Sequence, residues 1–248
     1  MSVFLVGGGV EPTHGAGLLA PFVAEAATRA EGQRPRLAVL LLERNGSYDR
    51  YLRDYEDAFG KQAETLPVRL QPDRPLDTGT VAAVTGADGI VVAGGWTPGY
   101  HAALTGADGL GTAIRDAVAS GTPYAGFSAG AMVAGQDALL GGYLVDGHEV
   151  CEDGCSEGLD DLTVRPGLGL VAFTSDVHTT AAGTLGRALE LVTSGLVPSS
   201  VGIDEGTCLT VPFGGRPQDG TVTGAGSVWF ADAAEPGRAL VSRVAERG

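Results

Sequence analysis

The segment Pro123-Tyr124-Ala125-Gly126-Phe127-Ser128-Ala129-Gly130-Ala131-Met132-Val133-Ala134 sets Gly-x-Ser-x-Gly between a short apolar run and a run of small residues. A short strand before the serine and a small-residue helix after it are the context the motif needs. Such a turn lifts the serine out at the carboxyl edge of a sheet, and the flanking glycines remove side chains that would collide there. Ser128 is therefore the candidate nucleophile, at a helix N-terminus whose N–H groups favour negative charge. In a chain holding 40 glycines the motif also describes an ordinary packing turn, so its weight comes from its place between strand and helix.

Outward from this turn, apolar runs at residues 3–6, 37–42, 89–93 and 168–173 read as strands, and stretches at 18–29, 48–59, 110–119 and 185–193 carry helical spacing. Strand and helix in alternation predict a mostly parallel sheet with helices on both faces. The last third changes character: short runs at 200–203, 207–211, 221–223 and 227–230 are separated by Gly, Pro and Asp, which predicts an antiparallel edge. Pro236 and Gly237 then break the chain, and residues 238–247 are expected to form a closing helix. Residues 146–161 are acidic and poor in apolar side chains, as in a mobile surface loop. The whole chain, 1–248, reads as one domain without internal repeats.

A serine nucleophile needs a base, and the chain offers His14, His101, His148 and His178. His178 is the best placed, because it follows the apolar run of residues 168–173 and should emerge at the same carboxyl edge as Ser128. His148 in the acidic loop is the alternative base, and His14 and His101 follow glycine-rich turns that can face the same cleft. Gly94-Gly95-Trp96 directly follows the run at 89–93, so the Gly95 N–H can pair with that of Ala129 around an oxyanion. Gly94 lets the backbone approach substrate there, and Trp96 is a candidate pocket wall.

A formal charge of -14 opposes binding to nucleic acid and to anionic lipid, so neither is expected as a partner. No apolar run approaches the roughly 20 residues that span a bilayer, and the N-terminus lacks a basic leader. Cys151, Cys155 and Cys208 form no disulfide framework, and a cytoplasmic location is expected. His148, Cys151, Asp153 and Cys155 match no compact zinc spacing, so no metal site is expected.

Gly-Phe-Ser-Ala-Gly-Ala from Gly126, the Gly94-Gly95 turn, Gly167-Leu168-Gly169-Leu170, Asp176-Val177-His178 and Gly202-Ile203-Asp204-Glu205 together resemble peptidase family S51. That family includes peptidase E, an aspartyl dipeptidase, and cyanophycinase, and its fold resembles class I glutamine amidotransferases. The resemblance implies serine, acid and histidine in that chain order. Asp146 fits the acid, with Asp137 and Glu149 as alternatives. It also implies Asp176, Glu205 and Arg187 as substrate contacts. The chain departs from the cyanophycinase pattern, with Val177 and Thr179 flanking the histidine and Ala182 and Thr184 where arginines stand, Arg187 alone matching.

The elbow serine and its histidine, taken with this resemblance, imply a serine-dependent hydrolase of short aspartyl or β-aspartyl peptides, needing no cofactor, acting on a small peptide as monomer or homodimer. Two other readings share the fold: a glutaminase-like amidotransferase, which normally uses cysteine at the elbow, and a binding or sensing protein that has lost hydrolysis.

Overall fold

The computed structural model describes residues 1–9, 12–46, 48–106 and 109–246, with the side chains of residues 12–16 left aside. The first half alternates β1 (Ser2–Val6), α1 (Pro12–Arg29), β2 (Arg36–Leu42), α2 (Tyr48–Phe59), β3 (Glu64–Leu70), α3 (Thr78–Thr85) and β4 (Gly89–Val92). Next come α4 (Thr97–Leu104), α5 (Leu110–Ala119), β5 (Tyr124–Phe127) and the one-turn helix α6 (Ala129–Met132). Short strands β6 (Asp137–Gly141), β7 (Leu144–Val145), β8 (His148–Glu149) and β9 (Thr163–Pro166) follow. The chain closes with β10 (Thr174–Val177), α7 (Leu185–Thr193), β11 (Ser199–Ile203), β12 (Thr207–Pro212), β13 (Thr221–Gly224), β14 (Ser227–Ala233) and β15 (Ala239–Ala245).

The main sheet has the order β13-β12-β1-β5-β4-β2-β3, parallel from β1 to β3, with β12 and β13 added antiparallel. Its central strands are apolar on both faces, as a sheet covered by helices on each side requires, and all four residues of β4 and of β5 are buried. Because β5 lies between β4 and β1, the loops after all three strands open at one carboxyl edge. A second sheet, β10-β11-β14-β15, pairs β10 and β11 in parallel, then continues antiparallel. One continuous apolar cluster joins residues of both sheets, from Val3 in β1 to Val228 in β14.

Two expectations from sequence are corrected. Leu168, Leu170, Val171 and Phe173 are buried, but residues 168–173 are not a strand: Gly169 turns the chain at φ 66°, and the N–H groups of Leu168, Gly169 and Leu170 bond to carbonyls of Val133, Gly135 and Ala134. The strand that precedes His178 is instead β10, Thr-Ser-Asp-Val, whose polar side chains are buried with partners of their own. Residues 238–246 do not close the fold as a helix, and Arg247 lies outside the described residues. Pro236 and Gly237 lie in a hairpin turn, with Gly237 at φ 74°, and β15 returns along β14 in register from Ala233↔Ala239 to Ser227↔Ala245. Arg243 fixes that register, its guanidinium 5.4 Å from the Trp229 ring centroid and its Nε donating to Ser227 Oγ at 2.8 Å.

Candidate active site

Ser128 stands alone between β5 and α6 with φ 48° and ψ -109°, a conformation that costs a non-glycine residue about 1–3 kcal/mol. The surrounding turn fixes it there. A Cβ on Gly126 would meet the Gly130 carbonyl oxygen at 2.4 Å, and one on Gly130 would meet that of Val92 at 2.1 Å, so both motif glycines are sterically required. The Tyr124 hydroxyl donates to the Gly130 carbonyl at 2.7 Å, and the Ser128 N–H donates to the Val6 carbonyl at 2.9 Å.

His178 leaves the end of β10 with φ 56°, and its N–H donates to the Gly7 carbonyl at 3.0 Å. Consecutive carbonyls at the end of β1 thus tether the serine and the histidine, although the two belong to different sheets. The imidazole lies across Gly8, where a Cβ would come within 2.1 Å of Cε1. His178 Nε2 is 2.8 Å from Ser128 Oγ, and Nδ1 is 2.6 Å from Glu205 Oε1. A carboxylate only accepts, so Nδ1 carries the proton and Nε2 is free to accept from the serine hydroxyl.

The acid on the histidine is therefore Glu205 and not Asp146. Asp146 occupies the turn between β7 and β8 at φ 50°, a tight hairpin in which Val145 pairs with His148. Asp137 opens β6 and Glu149 lies in β8, so neither alternative touches the imidazole. The placement of Glu205 follows from parallel pairing: β10 and β11 run with Val177 opposite Ile203, so the residues just beyond both strands emerge side by side. Asp204 locks that corner, accepting from Thr180 N at 3.0 Å, Thr180 Oγ1 at 2.6 Å and Ser227 N at 2.9 Å.

Gly95 follows β4 at φ 145°, and the peptide before it is clamped. Gly94 N–H donates to the Tyr55 hydroxyl at 3.1 Å, and the Tyr100 hydroxyl donates to the Gly94 carbonyl at 3.2 Å. Burial pushes the pKa of both phenols well up, so both stay protonated and able to donate. Ala129 is the first residue of α6, where an N–H has no carbonyl within the helix. Gly95 lines a cavity together with Ser128, and Gly94 packs directly beside the serine, a Cβ there meeting Ser128 Cβ at 3.3 Å. Trp96 walls the adjoining cavity under the guanidinium of Arg44, 4.6 Å from its ring centroid.

Asp176 and Arg187 have a different place from the one expected. Asp176 is fully buried and receives Arg187 Nε at 2.8 Å and Nη2 at 2.7 Å, while Arg187 Nη1 donates to the carbonyls of Cys155 and Gly142. Burial alone would lower the Arg187 pKa, but the Asp176 charge beside it holds it above the ordinary arginine value. The pair ties the acidic segment to α7. Arg187 reaches the wall of the catalytic cavity, yet its donors are spent inside the protein. The segment itself is built by such bonds, including one from Gly142 N to the Ser156 carbonyl at 2.8 Å.

The remaining candidates lie elsewhere. His101 Nε2 is 2.9 Å from the Pro166 carbonyl, and His148 is exposed in β8. The side chain of His14 lies outside the described residues. Among the described residues no group of three or more His, Cys, Asp or Glu is placed to hold a metal, and no helix is long and apolar enough to cross a membrane.

A mostly parallel sheet, an elbow serine at its carboxyl edge and an imidazole braced by a carboxylate define the class: an enzyme of mixed α/β architecture built for hydrolysis. The model of peptidase family S51 matches residues 42–212, and the chain belongs to that family of peptidases. Among solved structures it is similar to a peptidase from an acI-B1 Actinobacterium, at 20% identity over 98% of this chain and 93% of that one, with a TM-score of 0.71. It is also similar to a protein titled as a candidate peptidase E from Listeria monocytogenes EGD-e, at 16% identity over 91% of this chain and 98% of that one, with a TM-score of 0.56. No curated protein matches the chain.

Proposed function

We propose that this S51 peptidase works as a serine peptidase on short aspartyl or β-aspartyl peptides. The observation that carries the reading is the hydrogen-bonded relay Ser128 Oγ, His178 Nε2, His178 Nδ1, Glu205 Oε1, with steps of 2.8 and 2.6 Å. Ser128 Oγ attacks the scissile carbonyl as its proton passes to Nε2, and the oxyanion is received by the N–H groups of Gly95 and Ala129. Glu205 holds the ring in the tautomer that accepts at Nε2 and stabilises the imidazolium. Collapse of the adduct breaks the C–N bond, with His178 returning its proton to the departing amine. Water then attacks the acyl-enzyme by the same route and frees the acid and Ser128. Resemblance to peptidase E and the Arg44 guanidinium on the cavity wall favour an acidic acyl residue. Such a peptidase acts on small cytoplasmic peptides, and its three unpaired cysteines suit a reducing compartment.

The test is hydrolysis of a panel of α-aspartyl, β-aspartyl and neutral dipeptides by the wild type, Ser128→Ala and His178→Ala. Cleavage of aspartyl members by the wild type, lost in both variants while they remain folded, is the expected result. Full activity in Ser128→Ala would overturn the mechanism.

A further inference from the structure

Two cavities meet at Gly95, one of about 360 Å³ beside Trp96 and one of about 500 Å³ containing Ser128 and His178, and Glu157 is a wall of both. Glu157 is held firmly for a loop residue. Its backbone is left-handed at φ 58°, its main-chain carbonyl accepts from Trp96 Nε1 at 3.1 Å, and Oε1 accepts from Thr97 Oγ1 at 3.0 Å. Thr97 is fully buried and opens the helix that follows Gly94-Gly95, so this carboxylate is fixed to the turn that presents the Gly95 N–H. Burial pushes its pKa up, against the bonds from Thr97 and the charges of Arg187 and Arg44. Among the described residues no ion pair closes on it. A desolvated carboxylate in that state gains when a cation arrives carrying its own donors.

The ammonium of a peptide's first residue sits on the carbon next to the carbonyl that a nucleophile attacks. With that carbonyl held at Gly95, the ammonium lies among groups that share the walls around Gly95. Resting on the peptidase reading above, we propose that Glu157 is the receptor for the free amino terminus of the substrate. Arg44 lines the same cavity and supplies the opposite charge, which suits the acidic side chain of the peptide's first residue. An acylated or internal peptide would bring no cation to pair with the half-buried Glu157.

Binding to Ser128→Ala protein tests this without turnover, using Asp-Leu and its N-acetyl derivative in calorimetry. The free-amine peptide should bind more tightly by about tenfold or more, as a charged hydrogen bond implies, and adding Glu157→Gln should erase the difference. Glu157→Asp, which keeps the charge, should retain part of it. Equal affinities, a preference that survives Glu157→Gln, or no binding of either peptide would overturn the proposal. An amine preference in binding together with no hydrolysis by the wild type would instead sink the peptidase mechanism and leave the receptor standing.

Discussion

At the scale of single residues, Glu205 is bonded to His178 Nδ1 although its side chain is 45% exposed, so in the proposed mechanism it acts by orienting the ring more than by a large buried charge effect. Replacing it with Gln permits the wrong tautomer, and Glu205→Gln is expected to lower kcat by about 10²–10⁴-fold. Asp146→Asn should leave kcat/KM on the same dipeptide within about twofold, since Asp146 is a hairpin residue, and steady-state kinetics of the two variants decide between the acids. Glu157 makes a prediction about pH. Its folded pKa lies above the ordinary glutamate value because burial disfavours the charge, so between the unfolded and folded values the native state binds more protons than the unfolded chain. Stability from this group is complete below the unfolded pKa of about 4.3 and declines as pH rises through the folded value. Glu157→Gln should therefore stabilise the protein at neutral pH, by about 1 kcal/mol or less, and the gain should vanish in melts below about pH 4.

At the scale of elements, the buried Asp176–Arg187 pair links β10 to α7 and, through the Cys155 and Gly142 carbonyls, to the acidic segment. Arg187→Met strands a carboxylate in the interior and should destabilise by about 3–5 kcal/mol in urea unfolding, whereas Asp176→Asn/Arg187→Met should recover much of the loss. The two other bonds of Arg187 explain why recovery should be incomplete. Periodicity alone located α2, α5 and α7 in the sequence, because each buries one face of a regular stripe. It failed for residues 168–173, where a short apolar run looks the same in a packed loop as in a strand. It failed again for β10, whose inward polar side chains are satisfied only by distant partners, such as Ser175 Oγ on the Ala131 carbonyl at 2.7 Å. β3 also escaped notice, since an exposed edge position tolerates the Pro67 and charged residues of its run.

Across the whole molecule, the site is a seam: Ser128 follows a strand of the main sheet, His178 and Glu205 follow strands of the second, and backbone carbonyls at the end of β1 accept from the N–H groups of Ser128 and His178. Ser128 was legible because its turn follows β5 and opens α6 within a recognisable motif, whereas His178 was reached through an apolar run that proves to be a packed loop, its own strand β10 carrying no apolar signature. The carboxylate on His178 was not legible, because the pairing of β10 with β11 that sets Glu205 beside the imidazole is a long-range fact with no mark in either segment. Glu205 was noticed only as a member of Gly202-Ile203-Asp204-Glu205 and given to substrate. A site divided in this way functions only if the sheets fold as one unit, and the shared apolar cluster joining them predicts that they do. The two tryptophans report on the two sides, Trp96 after β4 and Trp229 in β14. In Trp96→Phe and in Trp229→Phe the remaining indole should give a urea midpoint within about 0.2 M of the far-ultraviolet circular dichroism midpoint of the same variant. A Trp229 transition that precedes the dichroism change would mean that the second sheet detaches first, carrying His178 and Glu205 away from Ser128, and activity would then be lost in that earlier step.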